Sequence, residues 1–141
     1  MKDRTSSLLA IRPNIENIDM HIDSKEIESF QNKVLRPILK FQNDLFLHIF
    51  KDYINQYKCV FFKLSTQDKL SYIQDALLKN HRLRSVIIGT VVGLFGVEDY
   101  SFYRLNKSSL NKRIIAMTIQ RIQSQSEIFS NTTLIFRKSS S

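Results

Sequence analysis

The sequence predicts an all-α protein, a single-domain bundle of about five or six helices, and three observations carry that prediction. Glycine (3) and proline (2) are scarce over 141 residues, which leaves little material for tight hairpin turns. Apolar residues recur at three- to four-residue steps for most of the chain, the repeat that lines one face of a helix. The composition, 43% hydrophobic and 24% charged, is a globular mixture, and the length is that of one domain with a core of its own.

Residues 1–23 show no sustained periodicity, and Pro13 limits any helix there to a few turns. The helical pattern starts near Ser24, a suitable N-cap, with Glu26 and Glu28 placed to complement the helix dipole. Phe30, Val34, Ile38, Phe41, Leu45, Ile49 and Tyr53 then form one stripe, widened by Leu35, Phe46 and Phe50. Pro37 falls inside it. Since the apolar phase continues past the proline, the expectation is a kinked long helix, or two abutting helices. The apolar stretch from Tyr57 to Leu64 fits a strand or a helical turn, and helix is preferred because no partner strand is in sight.

Ser65 and Asp68 have the spacing of a capping box, and Leu70, Ile73, Leu77 and Leu78 follow on an inward face. A break is expected at Asn80-His81. The next helix contains the most apolar run, Val86 to Val97, and is expected to reach Phe95 with Gly96 as its C-terminal cap. Gly89 and Gly93 lie one turn apart in it, so this helix is expected to be the buried centre of the bundle, with a neighbour packed closely on both glycines. Glu98–Leu105 reads as a short aromatic helix. Ser108 or Ser109 caps a last one, in which Leu110, Ile114, Ile115, Met117, Ile119 and Ile122 face the core. The domain division is therefore an irregular segment over 1–23, a helical bundle over 24–126 and a flexible tail over 127–141.

Function classes narrow from the same residues. The apolar run is shorter than the roughly 20 residues of a membrane span, and the start has too short an apolar stretch for a signal peptide. One cysteine, Cys59, gives neither an internal disulfide nor a zinc cluster. A cytoplasmic protein without membrane contact is expected. No Gly-x-Ser-x-Gly elbow, His-Glu-x-x-His or dinucleotide fingerprint is present, and the glycine pair lacks the lysine of a phosphate loop. Residues 66–80 and 82–95 have helix-turn-helix lengths, but Val86–Val92 offers almost no polar side chain to a base edge. Asp44, His48 and Asp52 share a helix face, which reads as a solvated surface before it reads as a metal site. The expectation is no cofactor, no metal and no catalytic residue.

What remains is charge. The formal net charge is +8 and it is uneven, with residues 79–126 carrying eight Lys or Arg against two Asp or Glu. Tyr100, Phe102, Tyr103, Arg104, Lys107, Lys112, Arg113 and Arg121 combine aromatics with cations, and no acid occurs from Tyr100 to Ser126. Single-stranded nucleic acid sites stack bases on aromatics and neutralise phosphate with cations, so Tyr100, Tyr103, Arg104, Lys107, Lys112, Arg113 and Arg121 form a candidate nucleic-acid surface. The ordinary alternative is that the aromatics are core and the cations decorate the rim.

The segments Phe30-Gln31-Asn32, Leu35 to Asn43, Leu64-Ser65 through Tyr72-Ile73, and Leu110-Asn111-Lys112-Arg113 also carry a resemblance. On them the chain resembles a group of short, mostly uncharacterised helical proteins of Bacteroidota, some of which bear a "glyoxalase" label. That label implies paired βαβββ modules with a metal held by His and Glu on strands. The present sequence lacks the strand alternation and the ligand spacing, and no functional residue carries over. The leading expectation is a non-enzymatic binding or scaffold protein whose partner is another protein or a second copy of itself. The alternative is RNA binding through residues 100–121.

Overall fold

In the computed structural model the described residues are 19–57 and 61–127, with side chains from Lys25 onward. Cys59 and the two chain ends lie outside them. Seven α-helices follow one another among the described residues, with no strand: α1 (Asp19–Phe30), α2 (Arg36–Phe41), α3 (Asn43–Gln56), α4 (Thr66–Lys79), α5 (His81–Val92), α6 (Val97–Leu105) and α7 (Lys107–Ser124). A π-helical turn, Gln31–Leu35, joins α1 to α2, and a 3-10 turn, Phe61–Lys63, precedes α4. The fold is all-α, as the sequence predicts.

The first helix begins five residues before Ser24, so Ser24 is not its N-cap. The chain stays helical from Phe30 to Phe41, and the break comes at Gln42 (φ −89°, ψ 5°), five residues after Pro37. The π turn lies directly before the proline and closes with the Arg36 amide donating to the Gln31 carbonyl. In a regular α-helix the proline ring would crowd the carbonyl of Lys33; the wider turn relieves that contact.

Local caps set the next boundaries. Ser65 Oγ accepts from the Asp68 amide at 3.1 Å and starts α4. Asn80 ends α4 and starts α5, its Oδ1 accepting from the Leu83 amide at 2.9 Å. The two boundaries after that shift from expectation. α5 stops at Val92 with Gly93 as its C-cap, while Gly96 opens α6, its amide donating to Asp99 Oδ2 at 3.1 Å. α7 starts at Lys107 after Asn106, ahead of both serines.

The glycine helix is not the buried centre. α5 buries a single stripe, Leu83, Ile87 and Val91, while Val86, Gly89 and Gly93 face outward. A Cβ built on Gly89 meets nothing within 4 Å, and one on Gly93 meets the Gly89 carbonyl at 3.1 Å, within its own turn. Among the described residues no neighbouring helix packs on either glycine. An apolar run need not be buried all round, because one stripe at four-residue spacing is enough to seat a helix. The central element is α7. It buries Leu110, Ile114, Ile115, Thr118, Ile119 and Ile122, and it packs against α3, α4, α5, α6 and the π turn. Around it the core is completed by Leu35, Leu39, Phe46, Phe50, Ile54, Phe61, Ile73, Leu77 and Ile87. Thr118, inside that core, donates its hydroxyl to the Ile114 carbonyl at 2.8 Å.

Candidate functional site: an arginine groove between α2 and α7

The seven residues singled out for nucleic acid do not form one surface. Tyr103 is 3% exposed, and its hydroxyl donates to Asn111 Oδ1 at 2.7 Å. Burial raises the phenol above its ordinary value. Its ring is core and out of reach of a base. Phe102 is buried as well, stacked on Phe30 with centroids 4.9 Å apart. Tyr100 remains half-exposed beside Tyr103. Arg104 and Lys107 sit exposed at the corner between α6 and α7. At 100° per residue, Lys112 lies about 180° around α7 from Arg121, and roughly 100° from Arg113. The cations thus divide into two groups.

Arg113 and Arg121 belong to the flank of α7 that faces the π turn and α2. Arg113 Nη1 donates to Gln31 Oε1 at 2.6 Å. Arg121 Nη1 lies 3.4 Å from Asn43 Oδ1. Asn43 is held in turn by Gln125, through Asn43 Nδ2 to Gln125 Oε1 at 2.9 Å and Gln125 Nε2 to Asn43 Oδ1 at 2.7 Å. Gln125 Nε2 also donates to the Arg121 carbonyl at 2.8 Å, which closes the set. Across the groove, Arg36 Nε donates to Asn32 Oδ1 at 2.8 Å. Gln31, Arg36, Met117, Gln120, Arg121 and Ser124 line an open groove of about 450 Å³ between these walls.

The electrostatics follow from the partners. All three arginines are braced by neutral side-chain amides, and among the described residues none of them meets a carboxylate. The wall Gln31–Phe41 carries Lys33, Arg36 and Lys40 and no acid; α7 carries Lys107, Lys112, Arg113 and Arg121 and no acid. An amide oxygen orients a guanidinium without neutralising it. Each arginine uses one donor of its five on the brace. Sequence reasoning reached Arg113 and Arg121 but missed Arg36, Gln31 and Asn43. The signal was present within α7, since Arg113, Met117, Gln120, Arg121 and Ser124 follow helical spacing. The facing wall is 82 residues away in sequence, beyond the reach of a periodicity.

A second surface lies on the other flank of α2 and α3. Gln42 Nε2 donates to the Thr90 carbonyl at 3.0 Å and sets the start of α3 against the end of α5. Phe41 (77% exposed), Leu45 and Val86 stand out along this junction, beside the bare strip of Gly89. Farther along, Ile49, Tyr53, Leu83 and Val86 line a cleft of about 170 Å³ between α3 and α5. Asp44, His48 and Asp52 are exposed on α3, and no group of three His, Cys, Asp or Glu able to hold a metal occurs among the described residues. No helix among the described residues is long and apolar enough to cross a membrane. No protein-family model, no curated protein and no solved structure matches the chain.

Proposed function

We propose that the protein is a non-enzymatic binding or scaffold protein that acts by docking on a protein partner. The observation that supports this best is the apolar flank around Phe41, Leu45 and Val86, which stays open to solvent although the core beneath it is complete. Large side chains grouped along one helix junction are more often contact surface than chance exposure. Affinity purification from the native host, with and without nuclease, tests the reading. A protein partner should survive nuclease treatment and be lost from Phe41→Asp/Leu45→Asp, a variant whose substitutions lie outside the core. A strictly monomeric chain that retains no protein would sink it.

RNA binding is the second reading, and one observation favours it: the unneutralised arginines of the α2–α7 groove. The surface around Tyr103 and Lys112 gives it less support, because the ring is buried and the lysine is on another flank of α7.

A further inference from the structure

We infer that the groove between α2 and α7 is a site for the phosphodiester backbone of a single-stranded nucleic acid, gripped by Arg36 and Arg121 of its lining and by Arg113, which adjoins the groove through its bond to Gln31. The inference is independent of the protein-docking reading, which concerns the opposite flank.

Three features select this ligand. First, the cations are preorganised. Gln31, Asn32 and Asn43 fix the three guanidinium groups at 2.6, 2.8 and 3.4 Å while contributing no negative charge. A planar fork held in place loses little freedom on meeting a phosphate, and its charge has not been cancelled in advance. Ordinary surface arginines more often swing free or pair with a carboxylate.

Second, the spacing fits a polymer. Arg113 and Arg121 are eight residues apart on α7, which separates them by roughly 12 Å along the helix axis. One phosphate ion cannot bridge that distance, whereas phosphates two nucleotides apart on one strand can reach both ends. Arg36 on the facing wall closes on the same channel as Arg121.

Third, the lining suits a backbone better than a peptide. Gln120 places an exposed amide on the lining as a donor for phosphate oxygens, while the Ser124 hydroxyl, which donates to the Arg121 carbonyl at 2.8 Å, is left to accept from a sugar hydroxyl. Among the described residues Met117 is the one apolar side chain of that lining, so they offer no row of pockets for the side chains of an acidic peptide. Among the described residues no aromatic lines it, and the groove as they form it reads charge and shape with little base preference.

The test is fluorescence anisotropy with a labelled oligouridylate and the full chain, comparing two triple variants of equal charge. Arg36→Gln/Arg113→Gln/Arg121→Gln removes the groove cations. Arg104→Gln/Lys107→Gln/Lys112→Gln removes the exposed cations of the other group. The groove variant should bind at least about tenfold more weakly and lower the slope of log affinity against log salt by about 2, at roughly 0.7 per phosphate contact. The control should stay within about threefold of the parent. Arg36→Gln alone, at an exposed side chain bonded one turn away to Asn32, should weaken binding in the same direction if the triple variant does not fold. Equal losses in both triples would overturn the inference, as would competition by polyglutamate matching that of unlabelled RNA. So would failure of the parent to bind at low salt. None of these outcomes bears on a nuclease-resistant protein partner.

Discussion

Gly89 costs the isolated chain stability without returning a contact. It lies in the interior of α5, its missing Cβ would meet nothing within 4 Å, and glycine in a helix is about 1 kcal/mol less favourable than alanine. Gly89→Ala is therefore expected to stabilise the protein by roughly 0.5–1 kcal/mol, seen as a rise of a few degrees in thermal midpoint. A loss of stability would mean that a second chain uses the bare strip. Gly93→Ala should gain less, because its Cβ would sit 3.1 Å from the Gly89 carbonyl. Tyr103 makes the other single-residue prediction. Its phenol is raised above its ordinary value chiefly by burial, so the folded state prefers it neutral. The associated stability is complete below that value and is lost as pH climbs through the higher folded value. Thermal midpoints of Tyr103→Phe should fall less steeply at high alkaline pH than those of the parent; parallel curves would contradict the assignment.

Helix boundaries in this chain are decided by short-range chemistry where a side chain caps, and by the backbone where it does not. Asn80 serves two helices at once, so Asn80→Ala should cost about 1 kcal/mol in denaturant midpoint, and Asn80→Asp should recover most of it. An alanine variant as stable as the parent would show that the α4–α5 corner is set by packing alone. Ser65 and Asn80 were legible in the sequence for that reason: the donor they satisfy lies three residues away. Gly96 opens α6 instead of closing α5, and Asn106, not Ser108 or Ser109, precedes α7, because glycine and asparagine fit either end of a helix and the sequence does not say which end each one serves. Pro37 was legible as a disturbance, whereas its resolution as a π turn, with the break deferred to Gln42, depends on how Leu35 and Leu39 seat in the core.

Side-chain amides tie the described helices to one another. Gln31, Gln42, Asn43, Gln123 and Gln125 each bond across helices distant in sequence: Gln31 to α7, Gln42 to α5, Gln123 to the Leu70 carbonyl, and Asn43 and Gln125 to each other. Neutral ties hold the helices without consuming the positive charge, which leaves the +8 of the sequence available to a partner. The fold class, the core stripe of α7 and the basic bias of the second half could be read from periodicity and composition. The groove could not, because it exists only where Gln31–Asn43 and Arg113–Gln125 meet. The most direct test of the groove is an amide NMR titration of the labelled protein with single-stranded RNA. Side-chain amides of Gln31, Asn32, Asn43, Gln120 and Gln125 should shift together and saturate together. Shifts confined to the neighbourhood of Tyr100, Arg104, Lys107 and Lys112, with the groove amides unmoved, would contradict the assignment.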